Sequence, residues 1–173
     1  LVGLIEFEVL LANDASTDGT ASYFDSLPDG FRAFHRDKSC GFAKNNNLLA
    51  REAKGEFLLF LNNDAFVKGD WLMPMLPVFE SKEKVGFVGN VQRLHGSNRF
   101  EHMGVVFSPY GNPRHYGQGF LKNPFKGEIK RWSAVTGACC LIRRELFLEH
   151  CGFNEDYLNG CEDMDLCLRL NRA

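Results

Sequence analysis

Three carboxylates stand close together near the end of the chain, in the segment GCEDMDL at residues 160–166. Glu162, Asp163 and Asp165 open a predicted helix, where acidic side chains complement the helix dipole. One cap and one dipole partner would suffice there, and carboxylates this close repel one another. A crowded carboxylate binds a proton more readily, which suits it to act as a general base. The segment predicts either an ordinary acidic helix start or a catalytic base.

A further carboxylate, Asp64, closes the predicted buried strand EFLLFLNND at residues 56–64. A hard divalent cation prefers carboxylate and carbonyl oxygens and keeps open positions for phosphate. Asp64, with Asn62 and Asn63 beside it, could hold Mg²⁺ or Mn²⁺ against a diphosphate. Asn and Asp are equally favoured in an ordinary turn after a strand. The spacing alone leaves both interpretations open.

The stretch NDASTDGTASYFD at residues 13–25 also has two interpretations. Asp14, Ser16 and Asp18 match the opening of a calcium-binding EF-hand loop, and Asp25 stands at its twelfth position. That position usually holds a bidentate Glu, and Asp is one methylene too short for the same reach. The match to a calcium loop is therefore partial.

The residues before this stretch favour a strand and turn over a calcium loop. IEFEVLLA, at residues 5–12, is part alternating and part continuously apolar, which is typical of a largely buried strand. An EF-hand needs a helix on each side of its loop. We therefore predict a strand ending near Asp14, a helix cap at Ser16 or Thr17, and a short helix in TASYFDSL. A calcium-binding module on the Asp14–Asp25 loop is kept as an alternative function.

Strands and helices alternate along the chain, which predicts an α/β fold with a largely parallel sheet. In such sheets ligands bind beyond the carboxyl ends of strands, where Asp14 and Asp64 stand. Residues 92–131 have weak periodicity, which predicts a binding loop. The other predicted elements are strands in FRAFHRD and GFVGNV, a strand passing into a helix in SAVTGACCLIRRELFLEHCG, and helices in GFAKNNNLLAREAKG, WLMPMLPVFESKEKVG and CEDMDLCLRLNRA.

Length and composition bound the class of protein. The 173 residues predict one domain over residues 1–173, and 45% hydrophobic with 24% charged residues is ordinary for a globular protein. A net charge of −2 predicts no nucleic-acid partner, and no apolar run is long enough to span a membrane. Six cysteines without metal-ligand spacing favour a reducing compartment. No dinucleotide-binding or P-loop glycine motif is present.

The run TGACCLIRRELFLEHCGFNEDYLNGCEDMDLCLRL, at residues 136–170, resembles the family 2 glycosyltransferases. NDASTDGT, GFAKNNNLL and LNND resemble three further motifs of that family, in the same order along the chain. The resemblance implies a GT-A fold, with a mostly parallel central sheet flanked by helices. It also implies an inverting enzyme of polysaccharide or cell-wall biosynthesis. Its donor would be a UDP, dTDP or GDP sugar, and its acceptor a saccharide or a lipid-linked hydroxyl.

Roles for individual residues follow from the same resemblance. Asp163 is expected to be the general base, with Glu162 supporting it or binding the acceptor. Asp64 is expected to coordinate the divalent metal, Mg²⁺ or Mn²⁺, that bridges the donor diphosphate. The residues expected to contact the donor nucleotide are Asn13, Asp14, Asn47 and Asn63.

Two departures from the family pattern qualify the resemblance. The metal motif reads Asn-Asn-Asp, so only one carboxylate remains for the ion. The family's first strand is absent, and LRLNRA stops within a predicted helix without a Gly or Pro. We therefore expect the natural protein to extend at both ends, upstream by roughly 30 residues or more. A catalytically silent fragment is therefore a second alternative. The expected location is cytoplasmic, with peripheral attachment to the inner membrane face as a variant.

Overall fold

The computed structural model describes residues 5–82 and 84–173. Its elements, in chain order, are β1 (Val9–Asn13), α1 (Thr20–Asp25), β2 (Phe31–His35), α2 (Gly41–Glu52), β3 (Phe57–Leu61), a 3₁₀ turn (Met73–Met75), α3 (Val78–Ser81), β4 (Phe87–Gly89), β5 (Gln92–Arg93), β6 (Phe100–His102), β7 (Val105–Phe107), β8 (Pro113–His115), β9 (Cys139–Arg143), α4 (Arg144–Glu149) and α5 (Glu162–Leu170).

The chain divides into two compact units. The first comprises Leu1–Leu58 and Arg143–Glu162, and the second comprises Leu59–Ile142 and Asp163–Ala173. The single-domain organisation stays a prediction.

The first unit contains a parallel pair of strands. β1 and β2 pair from Val9 opposite Phe31 to Asn13 opposite His35. The predicted strand before the polar turn is confirmed, although β1 begins four residues later than expected and ends at Asn13. Parallel pairing brings the carboxyl ends of both strands to the same edge.

The start of α1 differs from the prediction. The helix begins at Thr20 after Gly19, and no side chain caps it at Ser16 or Thr17. Asp18 instead accepts hydrogen bonds from the N–H and the hydroxyl of Thr20, the former at 2.9 Å. The predicted cap is therefore wrong, because the N-cap residue is Gly19, which has no side chain to cap the helix.

Helix α2 buries small and amide side chains rather than its leucines. Its buried residues are Ala43, Asn45, Asn47 and Ala50, while the leucines at positions 48 and 49 are only half-buried. It also ends at Glu52, with Ala53 as its cap, rather than at Gly55. Two buried amides on one helix require internal partners, because an unpaired buried polar group is costly.

The second unit holds most of a three-stranded sheet in the order β3-β9-β4. β4 and β9 are antiparallel, with Val88 opposite Leu141, and residues 139–142 of β9 are buried. The α/β class is confirmed. Among the strand pairs whose register the structure gives, β1–β2 is parallel, and β4–β9, β5–β6 and β7–β8 are antiparallel.

Residues 92–131, predicted as a binding loop, contain the short strands β5 to β8. β5 pairs with β6, and β7 pairs with β8. Strands of two or three residues leave no readable alternation, which explains the weak periodicity. An aromatic cluster packs beside them, in which Tyr116 lies 4.9 Å from Trp132 and 5.8 Å from Phe125 between ring centroids.

The helix predicted in WLMPMLPVFESKEKVG, with interruptions at Pro74 and Pro77, is divided into two short pieces. The structure gives only the 3₁₀ turn at Met73–Met75 and the four-residue α3, and part of the predicted helix lies outside the described residues. Pro74 and Pro77 remove backbone donors that a longer helix would need. In the described part of the chain, no helix is long and apolar enough to cross a membrane.

Gly104→Ala is expected to destabilise the protein, because a Cβ at this position would overlap the indole of Trp132. Overpacking of this kind costs about 1 to 3 kcal/mol. Gly111→Ala is the matched control, since Gly111 has a φ of +80° and open space around its Cα. Urea unfolding should show a larger loss for Gly104→Ala. Equal losses would mean that the contact with Trp132 is unimportant.

Candidate functional site

Asn13 forms the turn at the carboxyl end of β1. Its side chain is buried, with the amide nitrogen 3.1 Å from His35 Nδ1. Its Oδ1 accepts the N–H of Ser16 at 2.9 Å, which closes a local turn. Asn13 thus orients the residue that follows it.

Asp14 lies at the amino end of α2. Its carboxylate accepts the Ser39 hydroxyl at 2.7 Å, the Cys40 N–H at 2.8 Å and the Gly41 N–H at 3.1 Å. Burial by itself raises the pKa of Asp14. Hydrogen bonds from the side chains of Ser39 and Asn45 and from the two N–H groups outweigh that effect and hold the pKa well below its usual value. The carboxylate is therefore charged and fixed in orientation.

The calcium-loop alternative for residues 14–25 is wrong. A strand, β1, precedes the turn where an EF-hand requires a helix. The Asp14 carboxylate is directed to residues 39–41, and Asp25 Oδ1 lies 3.1 Å from His35 Nε2. The two carboxylates thus serve different contacts and do not converge on one ion.

Asp14→Asn is expected to lower the free energy of unfolding at neutral pH, and the loss should shrink in acid. Because the folded-state pKa of Asp14 is lowered, its contribution is complete above the unfolded pKa, about 4. The contribution is then lost as the pH falls towards the folded value.

Urea unfolding from pH 7 down to about 3 measures the difference in free energy of unfolding between the parent and Asp14→Asn. Asp29→Asn is the matched control, because Asp29 is exposed in the turn before β2. If this difference in free energy stayed constant over the whole pH range, the prediction would be contradicted.

Asn47 lies on α2 and contacts the turn after α4. Its Oδ1 accepts the Phe153 N–H at 2.9 Å, and its Nδ2 donates to the Phe153 carbonyl at 2.8 Å and to Glu155 Oε1 at 3.0 Å. Asn47 is therefore bonded to residues 153–155, whereas Asp14 is bonded to residues 39–41. A nucleotide contact by Asn47 stays a prediction.

Residues 62–64 form a turn directly after β3. The Asn62 N–H donates to the Ala138 carbonyl at 2.9 Å, and the Ala65 N–H donates to the Asn62 carbonyl at 3.1 Å. Asn63 and Asp64 are exposed. The turn is thus fixed by its backbone, and the Asp64 carboxylate stays accessible to a ligand.

The donor set at this turn fits a hard divalent cation. One carboxylate, from Asp64, and the amide oxygens of Asn62 and Asn63 are the oxygen ligands that Mg²⁺ and Mn²⁺ accept. In the described part of the chain, no three His, Cys, Asp or Glu side chains lie close enough to hold an ion. An ion at this turn would therefore depend on oxygens supplied by a ligand or by water.

Asp163 is held by backbone groups at the start of α5. Its Oδ2 accepts the Gly137 N–H at 2.6 Å, and its Oδ1 accepts the Met164 N–H at 2.7 Å. Its neighbour Glu162 is buried, with 6% of its surface exposed. Both Asp163 oxygens are oriented by neutral donors, and each keeps acceptor capacity for a proton.

Two consecutive residues of the second unit, Gly137 and Ala138, form hydrogen bonds with the candidate site. One bonds to Asp163 and the other to the turn at 62–64. Gly137 donates to Asp163, and Ala138 accepts from Asn62. The structure therefore joins the candidate base and the candidate metal turn through one short segment. Gly137 and Ala138 carry no chemical group that could reveal this role from the sequence.

The family model for Glycosyl transferase family 2 matches residues 4–151. The O-antigen biosynthesis protein RfbC of Myxococcus xanthus is 34% identical over 174 residues, which cover 95% of this chain and 14% of that protein. Rhamnosyltransferase WbbL of Escherichia coli K12 is 30% identical over 151 residues, which cover 77% of this chain and 55% of that protein. The chain thus spans between 14% and 55% of these two relatives.

Solved structures with the same fold include GalNAc-T7 with UDP, GalNAc and Mn²⁺, with a TM-score of 0.68 and 15% identity. That match covers 94% of this chain and 34% of GalNAc-T7. The mannosyltransferase PcManGT from Pyrobaculum calidifontis, in complex with GDP-Man and Mn²⁺, matches with a TM-score of 0.59 and 20% identity, covering 94% of this chain and 42% of that one. These likenesses confirm the predicted GT-A type of fold.

Proposed function

The chain belongs to glycosyl transferase family 2, and we propose that it performs the catalytic step of an inverting, metal-assisted glycosyltransferase. The donor would be a nucleotide diphosphate sugar, and the acceptor a hydroxyl group. One observation carries the proposal. The Asp163 carboxylate and the turn containing Asp64 are bonded to consecutive residues, Gly137 and Ala138.

In the proposed reaction, Asp163 accepts the proton of the acceptor hydroxyl. The acceptor oxygen forms a bond to the anomeric carbon while the bond from that carbon to the phosphate oxygen breaks, so the configuration inverts. The N–H groups of Gly137 and Met164 fix the carboxylate for this transfer. Glu162, the preceding residue, supports the base or contacts the acceptor.

The departing diphosphate carries negative charge that must be offset. A bound Mg²⁺ or Mn²⁺ would supply that charge stabilisation. Asp64 would hold the ion, with Asn62 and Asn63 as neighbouring oxygen ligands, and Asn63 would also approach the nucleotide. Mn²⁺ in the GalNAc-T7 and PcManGT structures supports a divalent metal here.

Asp14 would bind the base or ribose of the donor. Donors at residues 39–41 and at Asn45 keep this carboxylate charged and fixed in orientation, so the nucleotide would meet a preorganised acceptor. Asn13 orients this carboxylate through its own turn. UDP and GDP-Man in the two solved structures support a nucleotide sugar as the donor.

The relatives favour a role in polysaccharide biosynthesis. Sequence likeness to the O-antigen protein RfbC and to the rhamnosyltransferase WbbL supports a saccharide or lipid-linked acceptor. A reaction on such acceptors would take place in the cytoplasm or at the inner face of the membrane.

A panel of UDP, GDP and dTDP sugars tests this function. Each donor is added with Mn²⁺ or with EDTA, and thermal unfolding is recorded. A donor at 100 times its Kd stabilises the folded state by about 2.7 kcal/mol. The donor that binds is then assayed for release of its nucleoside diphosphate, and NMR of the product reports the anomeric configuration.

Stabilisation by one donor in the presence of Mn²⁺, with release of the diphosphate and an inverted product, is the expected result. Binding without release would favour the catalytically silent fragment. Retention of configuration would rule out direct displacement. A protein stabilised by none of the donors would contradict the proposed function.

A further inference from the structure

We propose that Asn47 is a positioning residue, which holds the turn at residues 152–155 and thereby the segment leading to Glu162. The inference rests on the proposed function, because Glu162 precedes the proposed base. It assigns Asn47 a different role from the nucleotide contact that the family resemblance implies.

The Asn47 side chain forms two hydrogen bonds with the backbone of a single residue, Phe153. Its amide accepts the N–H of Phe153 and donates to the carbonyl of the same residue. The second amide hydrogen goes to Glu155 at 3.0 Å. Both N–H bonds of the side chain are thus used, and Asn47 has none left to donate to a nucleotide.

Packing around this amide leaves no room for a ligand. Asn47 is 4% exposed and Phe153 is 1% exposed. The Phe153 ring lies against Phe42 and Phe147, at 5.6 Å and 5.1 Å between centroids. Gly152 has a φ of +63°, and a Cβ there would overlap the Asn47 amide. The turn therefore packs closely against α2.

The amino end of α2 makes a second contact with the segment at residues 152–161. A Cβ on Gly41 would lie 2.5 Å from the Leu158 carbonyl oxygen, so the two backbones are in close contact. The N–H of Gly41 donates to Asp14. One helix therefore holds the proposed nucleotide carboxylate and two points of the segment that ends at Glu162.

No helix or strand stabilises residues 152–161 themselves. Within the first unit, this segment is held by the hydrogen bonds of Asn47, the close contact with Gly41 and the rings packed against Phe153. A displacement of about 1 Å at a catalytic group can lower a rate by about 100-fold. Loosening the segment is therefore expected to affect turnover more than donor binding.

Asn47→Asp tests the inference with almost no change in shape. The new carboxylate cannot donate to the Phe153 carbonyl, and it faces the carboxylate of Glu155. We expect the release of nucleoside diphosphate to fall by about 100-fold. The Kd for the nucleoside diphosphate with Mn²⁺ should change little, and hydrogen exchange in residues 152–161 should become faster.

Two further variants sharpen the test. Adding Glu155→Gln to Asn47→Asp should recover part of the rate, because the Gln amide donates to the new carboxylate. Asn46→Ala is the matched control. Asn46 is next in the chain and its amide donates to Phe42 within the same helix, so both rate and exchange should stay near those of the parent.

A Kd for the nucleotide that rises by the same factor as the rate falls would overturn the inference and restore a direct contact. Unchanged exchange in residues 152–161 would also overturn it. If Asn47→Asp does not fold, Glu155→Ala replaces it, since Glu155 is exposed and only one hydrogen bond is lost. Faster exchange in that variant supports the inference, and unchanged exchange overturns it.

Hydrogen exchange needs no substrate, so this arm is independent of the proposed function. A parent protein that binds no nucleotide sugar would contradict the proposed function alone. Exchange in residues 152–161 would still decide whether Asn47 holds the segment.

Discussion

Asp163→Asn is expected to lower sugar transfer by about 10² to 10⁴-fold, the usual cost of removing a general base. The Asn amide is not basic enough to take the proton of the acceptor hydroxyl at neutral pH. The donor should still bind, because the residues proposed for the nucleotide and the metal are unchanged. Initial rates and the Kd for the donor, measured on the same preparation, separate the two effects.

The variant also alters the backbone contacts of this side chain. Asn has one oxygen, so it can keep only one of the hydrogen bonds from Gly137 and Met164. The melting temperature must therefore be compared with that of the parent. Asp165→Asn is the control on the same helix, since Asp165 pairs with Arg169 at 2.8 Å.

Asp165→Asn should transfer sugar at close to the parent rate, because a partly exposed ion pair contributes little. If Asp163→Asn also retained the parent rate, Asp163 would not be the base. Glu162 would then be the candidate.

Asp64→Ala is expected to abolish the metal-dependent part of nucleotide binding. Asp64 supplies the one carboxylate of the turn after β3 and is exposed, so its removal should leave folding intact. The Kd of a nucleoside diphosphate measured with Mn²⁺ should rise to the value measured without it. Calorimetric titration with and without Mn²⁺ gives both values.

Two further variants test this interpretation of Asp64→Ala. Asn62→Asp adds a second carboxylate beside Asp64 and should strengthen Mn²⁺-dependent binding, because ligand charge tunes affinity for a hard cation. Asp70→Ala is the control, since Asp70 is exposed and accepts the N–H of Met73 at 3.4 Å. An unchanged dependence on Mn²⁺ in Asp64→Ala would place the ion elsewhere.

Much of the fold follows from local patterns in the sequence. Apolar runs that end in polar turns predicted β1 and β3, and the alternation of strands and helices predicted the α/β class. The order of four motifs identified the family, which the family model confirms. These features depend on neighbouring residues, so a single sequence contains them.

Other expectations from the sequence differ from the structure, two of them for local reasons and one because of a tertiary contact. The N-cap residue of α1 is Gly19 rather than Ser16 or Thr17, and the helix expected at residues 71–86 is divided at its two prolines. The buried face of α2 contains amides, because their hydrogen-bond partners lie in a turn far along the chain.

The sequence by itself determined which residue types stand at the ends of the strands, and hence that carboxylates and amides are the groups proposed for the chemistry. Only the tertiary structure decided their partners. Asn47 meets Phe153 across 106 positions of the chain, and Asp163 meets Gly137 across 26. A backbone N–H or carbonyl is present at every residue except for the missing N–H of proline, so no pattern of side chains can indicate which one a distant amide or carboxylate will bind.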